Sequence, residues 1–267
     1  MNAVRVIVTR PEPEASKWVV ELRQAGLEAY ALPLIEMAPA SDIGPVQDAW
    51  ARLDGFDAVM FVSGNAVAYF FASKPAGMLV FNAQAAIKTR AFVTGPGTHA
   101  ALLRVAADPM WIDAPGSDAP QFDSEALWSV VSQRVSAGFR VLVVRGAGSA
   151  GDEGAAGAGR DWFAKQVLAA GGTVEFVVAY QRRAPRWDGA QGGLAQQAAV
   201  DGSVWLFSSS EAIGNLAAAL PRQDWSQARA VATHPRIAQA ARTAGFSVVC
   251  ESRPTPAALV ASIESMQ

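Results

Sequence analysis

Cysteine and histidine are almost absent from this 267-residue chain, and their scarcity excludes several kinds of site. The one cysteine, Cys250, allows no internal disulfide and no cysteine-based zinc or iron–sulfur centre. The two histidines, His99 and His234, are not accompanied by clustered carboxylates or by a G-x-S-x-G elbow. We therefore expect no metal ion and no histidine-dependent hydrolase, and we interpret both histidines as surface or helix-capping residues.

Excess positive charge and long apolar runs are also missing. Charged residues make up 17% of the chain, the formal net charge is −2 and the pI is about 5.7. This balance disfavours a general nucleic-acid surface, although arginines can still be concentrated around a small anionic ligand. No apolar run approaches the roughly 18–20 residues of a membrane span, and VRVIVTR near Met1 does not resemble a signal peptide. We expect a cytoplasmic protein that binds neither nucleic acid nor membrane.

Apolar residues, by contrast, make up 51% of the chain and are distributed in short runs. The stretches between these runs place apolar residues three and four apart, as helices do, and several end in glycine. Strands alternating with helices predict an α/β fold with parallel sheets flanked by helices. The predicted strands cover residues 5–9, 28–35, 57–63, 90–95, 110–114, 140–146, 173–180, 203–208, 229–234 and 247–252.

The order of these units occurs twice along the chain. RVIVTR at the start resembles RVLVVRG at 140–146, and FVSGNAV (61–67) corresponds to LFSSSEAI (206–213). Each half is therefore close to a small doubly wound sheet. Two similar lobes facing each other would form a cleft, which is where small-molecule ligands commonly bind.

Two stretches rich in Pro, Gly and small polar residues, 38–44 and 182–193, are the candidate linkers. Both follow the second strand of a repeat, which predicts that the chain changes lobes there. Lobe one is then discontinuous, with residues 1–37 and 181–267, and lobe two comprises 38–180. Two linker strands would join the lobes.

Small polar residues and glycines follow several predicted strands in both halves. They are either ordinary N-caps of the following helices or part of helix starts that bind anions through free backbone N–H groups. Ligands of open α/β sheets bind at this carboxyl edge. The candidate ligand-binding residues are Thr9, Ser63, Gly64, Asn65, Gly95, Thr98, Ser208, Ser209 and Ser210.

Arginines also lie at or just after strand ends, and the guanidinium fork suits carboxylates. The default for any single one is a solvated surface charge. The candidates are Arg10, Arg145, Arg160, Arg182, Arg183, Arg186 and Arg236. Tyr180 ends an apolar strand at the second linker, so we expect its hydroxyl to face the cleft.

Residues 146–151, GAGSAG, match the pattern G-x-G-x-x-G that begins at Gly146. A dinucleotide site requires these glycines to open a helix directly, with an acid near the end of the next strand. Here the glycine-rich DEGAAGAGR intervenes, and the next strand ends at Tyr180 and Gln181 without an acid. A loop over a ligand is favoured, and a nucleotide-dependent transferase is the alternative.

Taken in order, these segments resemble the uroporphyrinogen-III synthase family. The resemblance implies two α/β lobes joined by paired linker strands, with the N-terminal βαβ unit in the C-terminal lobe. It also implies an enzyme that expels the terminal hydroxyl of hydroxymethylbilane and closes the macrocycle with ring D inverted, without metal or organic cofactor. The matching segments are VTRP (8–11), FVSGNAV, VTGPGT (93–98), SEAL (124–127), VLVVRG (141–146), Gly159-Arg160, VVAYQR (177–182), LFSSS (206–210) and PTPAAL (254–259).

The resemblance also implies roles for individual residues. Tyr180 corresponds to the family's tyrosine that assists departure of the hydroxyl, as general acid or hydrogen-bond donor. Gly146, Arg145 and Arg160 fall in matching segments, and we expect them to bind the polycarboxylate substrate. We expect a monomer, and leave open a contact with the preceding enzyme of the pathway.

One segment departs from the family. Where the family commonly opens a helix with glycine and threonine, this chain has Thr233-His234-Pro235-Arg236. We expect Thr233 or Arg236 to bind a carboxylate there instead. The departure also keeps an alternative open, a non-catalytic tetrapyrrole-binding or sensing protein on the same scaffold.

Overall fold

The structure, a computed structural model, describes residues 4–147 and 155–266, with the backbone alone at 155–161. The chain forms two compact units. The terminal unit comprises Met1–Met37 and Arg183–Gln267, and the central unit comprises Ala38–Arg182.

Strands and helices alternate along most of the described chain. The strands are β1 (Arg5–Val8), β2 (Glu28–Ala31), β3 (Glu36–Pro39), β4 (Ala58–Phe61), β5 (Arg90–Val93), β6 (Ile112–Asp113), β7 (Arg140–Gly146), β8 (Thr173–Arg183), β9 (Val204–Phe207), β10 (Arg229–Ala232) and β11 (Val248–Glu251). The helices are α1 (Glu14–Gln24), α2 (Gly44–Ala51), α3 (Gly64–Ala72), α4 (Pro96–Arg104), α5 (Ser124–Val131), α6 (Ala155–Ala169), α7 (Gly189–Ala198), α8 (Ser210–Ala219), α9 (Pro235–Thr243) and α10 (Pro256–Glu264).

The terminal unit is built on a five-stranded parallel sheet with the order β11-β10-β9-β1-β2. Successive side chains of a strand point to opposite faces. Val6 and Val8 accordingly pack with α1 and α10 on one face, while Ile7 packs on the other. There it joins an aromatic group centred on Trp205, whose ring lies 5.4 Å from that of Trp225. Both faces are therefore covered, which explains why these strands are apolar throughout.

The central unit is built on a six-stranded sheet with the order β3-β8-β7-β4-β5-β6. Phe61, Phe70 and Trp50 pack on one face, where the Trp50 indole N–H donates to the Phe70 carbonyl at 2.9 Å. Phe92 and Phe163 belong to the core on the opposite face. The neighbouring pairs β8–β7, β7–β4, β4–β5 and β5–β6 are all parallel.

The two sheets have equivalent strand orders. Read from one edge, β6-β5-β4-β7-β8 of the central unit corresponds to β11-β10-β9-β1-β2 of the terminal unit. Each half of the repeated sequence therefore contributes strands to both sheets. The α/β class, with parallel sheets flanked by helices in two similar units, is confirmed.

Three predicted boundaries are wrong for local reasons. The run 28–35 is not one strand: β2 ends at Ala31, and Pro33, which has no N–H for a ladder, lies before β3. In the run 110–114 only β6 is strand, because Pro109 opens a 3-10 turn that ends at Trp111. The predicted linker 182–193 is partly helical, since Asp188 caps α7 and accepts the Gln191 N–H at 2.8 Å.

Within the described ranges, no helix is both long enough and apolar enough to cross a membrane. The same ranges contain no group of three or more His, Cys, Asp or Glu side chains arranged to hold a metal ion.

Candidate functional site

In the central unit, four predicted site positions lie side by side at the carboxyl edge of the sheet. The strands β8, β7, β4 and β5 are neighbours and run parallel, so their last residues meet at one edge. That edge carries Tyr180 on β8, Gly146 on β7, Ser63 just after β4 and Gly95 just after β5. Open parallel sheets bind their ligands at this edge.

Tyr180 is buried at this edge and contacts both Ser63 and α3. It is 6% exposed, and its hydroxyl lies 3.1 Å from the Ser63 hydroxyl oxygen. Its ring stacks on Tyr69 of α3, with ring centroids 5.8 Å apart and planes at 20°. Ser63 is the N-cap of α3, and its side-chain oxygen accepts the Ala66 N–H at 3.1 Å. The Tyr180 hydroxyl is thus hydrogen-bonded to the residue that caps the start of α3.

Gly146 lets the Tyr180 ring approach the backbone of β7. The β7–β8 register shifts between Arg145 and Gly146, which brings Gly146 opposite Tyr180. A Cβ on Gly146 would lie 2.6 Å from the Cζ atom of Tyr180, closer than real contacts allow. A side chain at this position would therefore force the Tyr180 ring to move. The Ala147 N–H then donates to the Tyr180 carbonyl at 2.7 Å.

The starts of α3 and α4 lie beside each other at the same edge. A Cβ on Gly64 would lie 3.6 Å from the Ala101 Cβ, so the two helices pack closely. Gly95 is the N-cap of α4 and offers no side-chain acceptor to the first backbone N–H groups. Thr98 is buried, and Asn65 is half-buried near the start of α3. The start of α4 therefore presents main-chain donors that no cap side chain occupies.

Among the predicted arginines of the central unit, Arg145 lies on the face of the sheet opposite Tyr180. Arg145 stacks over the Phe176 ring at 4.7 Å. It shares its face with Val143, two residues earlier, which packs in the core against α5 and α6. Tyr180 contacts α3 on the other face. Arg160 lies on α6, and its side chain is outside the described residues, as is 148–151 of the GAGSAG stretch.

The terminal unit has the equivalent edge, where β1, β9 and β10 end together. Ser209 is the N-cap of α8 and accepts the Glu211 N–H at 3.2 Å. Ser208 precedes this cap, and Ser210 is the first residue of the helix. The Thr233 N–H donates to the Phe207 carbonyl at 3.1 Å, which continues the β10–β9 ladder past the end of the strands.

Two of the residues predicted at this edge, Thr9 and Arg10, make contacts within the protein. Thr9 is 1% exposed, and its hydroxyl donates to the Leu206 carbonyl at 2.7 Å. The Arg10 guanidinium lies over the Trp18 ring at 4.5 Å, a cation–π contact.

His234 has a structural role in this unit. It is the N-cap of α9, and its Nδ1 accepts the Arg236 N–H at 3.1 Å. Arg236, in the first turn of α9, lines a groove of about 560 Å³ between α8 and α9, together with Ser210 and Gln239. Arg236 and Ser210, the first residue of α8, therefore line the same groove.

Sequence reasoning missed Tyr69. It lies on a helix whose other residues are almost all apolar, GNAVAYFFA, and nothing in its spacing distinguishes it from the core residues beside it. The contact with Tyr180 depends on the packing of α3 against β8, which a local pattern does not reveal.

Comparisons with known proteins agree with this architecture. A solved uroporphyrinogen-III synthetase from Helicobacter pylori 26695 is similar over 99% of this chain and 100% of its own, with a TM-score of 0.53 at 14% identity. A mutant uroporphyrinogen III synthase from the extremely thermophilic bacterium Thermus thermophilus covers 99% and 98%, with a TM-score of 0.52 at 13% identity. At such identities the likeness shows the fold.

The sequence comparisons identify the family. Uroporphyrinogen-III synthases of Escherichia coli (strain K12) and Salmonella typhimurium (strain LT2) are each 27% identical to this chain, over 256 and 245 residues. Both alignments cover 90% of this chain and 92% of the relative. A family model described as uroporphyrinogen-III synthase HemD matches residues 16–261. This chain belongs to the uroporphyrinogen-III synthase family.

Proposed function

We propose that this chain converts the linear tetrapyrrole hydroxymethylbilane to uroporphyrinogen III with release of water. The family match over residues 16–261 favours an enzyme over a non-catalytic binding protein on the same scaffold. The observation that carries the proposal is the Tyr180 hydroxyl, held 3.1 Å from Ser63 Oγ at the carboxyl edge of the central sheet. A phenol fixed at a ligand-binding edge can donate a proton to a leaving group.

In the proposed reaction, the Tyr180 hydroxyl gives its proton to the terminal hydroxyl of the substrate. The carbon–oxygen bond breaks, the electron pair stays with oxygen, and water departs. A delocalised azafulvene cation and a Tyr180 phenolate remain. The substituted carbon of ring D attacks to give a spiro intermediate, which fragments and recloses. The ring carbon that closes the macrocycle then loses a proton, and this proton restores the phenol.

Positioning is the second part of the proposed function. The unassisted reaction closes at the unsubstituted carbon of ring D, so the protein must hold the chain in the pose that favours the substituted one. Carboxylates are suitable ligands for free backbone N–H groups at helix starts and for arginine. We assign substrate carboxylates to the starts of α3 and α4 in the central unit. In the terminal unit we assign them to Ser208–Ser210 and Arg236.

We further propose that the two units act as the two lobes of a cytoplasmic monomer. The division at 37/38 and 182/183, which falls within β3 and β8, supports lobes joined by two strands. Light scattering of the pure protein, alone and mixed with the preceding enzyme of the pathway, measures its oligomeric state and any such contact.

The proposal is tested by the isomer of the product. Purified protein is incubated with freshly made hydroxymethylbilane, the products are oxidised, and the type I and type III porphyrins are separated. We expect type III to dominate in proportion to enzyme concentration. Formation of type I product alone, at the uncatalysed rate, would contradict the proposed enzyme activity and favour the non-catalytic binding protein.

A further inference from the structure

We propose that Ser63 is a positioning residue for catalysis, because its hydroxyl holds Tyr180 ready to donate a proton. The inference rests on the proposed function and adds a residue that acts through Tyr180 rather than on the substrate. Three contacts lead to it: Ala66 N–H to Ser63 Oγ at 3.1 Å, Ser63 Oγ to Tyr180 Oη at 3.1 Å, and the Tyr69 ring on the Tyr180 ring.

Ser63 is able to donate a hydrogen bond to Tyr180, and at this distance either hydroxyl can act as the donor. A serine hydroxyl has one proton and two lone pairs. The Ala66 N–H occupies one lone pair of Ser63, and this leaves the Ser63 proton free for the Tyr180 oxygen. In the inferred arrangement Ser63 is the donor, so the proton of Tyr180 is not used in this hydrogen bond and can reach the leaving hydroxyl of the substrate.

The same bond strengthens as the reaction proceeds. When Tyr180 gives up its proton, its oxygen becomes negative, and a hydrogen bond to a charged acceptor is stronger than one to a neutral acceptor. Ser63 itself accepts from the first turn of α3, the positive end of the helix dipole, so the two bonds polarise each other. An interaction that is stronger in the transition state raises kcat rather than lowering KM.

The duplicated unit shows that a serine cap does not by itself require a tyrosine. Ser209 caps α8 as Ser63 caps α3. Arg5 pairs with Glu28, and Arg140 pairs with Thr173. Counted from these partners, Ile35 lies seven residues after Glu28, and Tyr180 lies seven residues after Thr173. Ile35, 4% exposed, is core in the terminal unit, so the serine–tyrosine pair is an addition in the central unit.

The experiment compares Ser63→Ala, Ser63→Thr, Tyr180→Phe and the double variant Ser63→Ala/Tyr180→Phe. We expect Ser63→Ala to lower kcat about tenfold, the effect of one hydrogen bond to a charged acceptor, with KM within about twofold. Ser63→Thr keeps the hydroxyl and recovers most of kcat. In the Tyr180→Phe background, Ser63→Ala causes no further loss, because the pair acts as a unit.

A spectroscopic signature reports on the hydrogen bond without substrate. The chain has three tyrosines, so carbon-13 in the phenol carbon gives three signals, and the Tyr180 signal is assigned by its loss in Tyr180→Phe. We expect this signal to move in Ser63→Ala and to return in Ser63→Thr. Asp188→Ala, which removes the cap bond to the Gln191 N–H in the other unit, serves as control and should lower the melting temperature comparably while leaving signal and kcat unchanged.

Three outcomes overturn the inference while leaving the proposed function intact. They are an unmoved Tyr180 signal in Ser63→Ala, a loss of kcat that adds fully to that of Tyr180→Phe, and a matching loss in Asp188→Ala. If the wild type produces only type I product, the proposed function fails first and takes the inference with it.

Discussion

At the start of α3 in the central unit, Ser63 caps the helix and also holds a tyrosine hydroxyl. At the equivalent start of α8 in the terminal unit, Ser209 caps the helix, and Ile35, which corresponds to Tyr180 by count along the sequence, belongs to the core. For the helix after the next strand of each sheet, the capping differs the other way: α4 of the central unit has no side-chain cap, and α9 of the terminal unit has one. Gly95 leaves the start of α4 without a side-chain cap, whereas His234 fills the start of α9 with its ring nitrogen.

This comparison teaches that duplication preserves the scaffold and not the chemistry. Both edges keep the strand order, the serine cap and the helix that follows. Among the residues that the structure describes, only the central edge pairs the serine with a phenol and leaves the neighbouring helix start without a side-chain cap. We therefore expect proton transfer at the central edge, while the terminal edge, with Arg236 in its groove, contributes to binding.

The largest expected effect comes from removing one oxygen atom at the central edge. Tyr180→Phe should lower kcat by about 100-fold or more, as expected for loss of a general acid. Folding should change by ~1 kcal/mol, the worth of one hydrogen bond. Steady-state formation of type III product and thermal unfolding measure the two effects.

The matched change in the terminal unit is Ile35→Val. It should cost about 1 kcal/mol of stability, as buried Ile→Val changes do, and leave kcat unaltered. Unchanged kinetics of Tyr180→Phe, or an equal loss in Ile35→Val, would make Tyr180 a packing residue and remove the distinction between the edges.

The next effect concerns the space beneath the tyrosine ring. In Gly146→Ala the new methyl would meet the ring at 2.6 Å, so the ring must move. We expect kcat to fall by roughly ten- to a hundredfold, since a 1 Å misplacement costs up to about 100-fold. Overpacking should also destabilise the fold by about 1–3 kcal/mol.

The control for this glycine is Gly193→Ala on α7, where a Cβ meets nothing within 4 Å. It should be neutral or stabilise by up to ~1 kcal/mol, because alanine favours the helix. If Gly146→Ala behaves like this control, the close approach of the ring is not what makes glycine necessary at this position.

A smaller effect is expected at the terminal edge. Arg236→Ala should raise KM by about fivefold with little change in kcat, the worth of a partly exposed ion pair of ~1 kcal/mol. The difference should shrink as salt is added. Arg222, exposed on the loop after α8, is the control arginine. A loss in kcat instead of KM would place chemistry at the terminal edge and contradict the comparison.

The smallest effect concerns β3, at one edge of the central sheet, and its neighbour β8. The hydrogen bond from Arg183 lowers the pKa of Glu36 in the folded protein, with the charges of Arg183 and Arg186 adding to it. A lowered folded pKa gives stability that is present above the unfolded pKa and is lost as the pH falls through the folded pKa.

Glu36→Gln should therefore lower the urea midpoint at about pH 7 and have a smaller effect at about pH 3, below the ordinary glutamate pKa of about 4.3. Urea unfolding of wild type and variant at the two pH values measures the difference. An equal difference at both pH values would show that the carboxylate charge is not the stabilising feature.

Much of the fold could be predicted because apolar runs mark the strands directly. The run RVLVVRG coincides with β7, whose central residues Val141–Val144 are buried and apolar because both faces of the sheet are covered there. The failures have equally local causes. Leu32, Leu34 and Ile35 remain buried after β2 has ended, so buried apolar residues continue past the end of the strand.

The site could be predicted only as far as sequence order allows. Strand ends predicted Ser63 and Gly95 at the carboxyl edge, where ligands of parallel sheets bind, whereas Tyr180 was predicted only to face the cleft at the second linker. The hydrogen bond that the Thr9 hydroxyl donates could not be predicted, because its acceptor, the Leu206 carbonyl, lies 197 residues away in the chain. The stacking of Arg145 on Phe176 likewise depends on register across two strands.

The location of the chemistry is tested most directly by the phenol carbon signals of the three tyrosines, recorded while uroporphyrinogen III is added under reducing conditions. Tyr30 is the internal reference, because it is hydrogen-bonded to Glu28 at the start of β2, away from the carboxyl edge. The account predicts that the Tyr180 signal moves in proportion to bound product while that of Tyr30 stays. A stationary Tyr180 signal at saturation would contradict it.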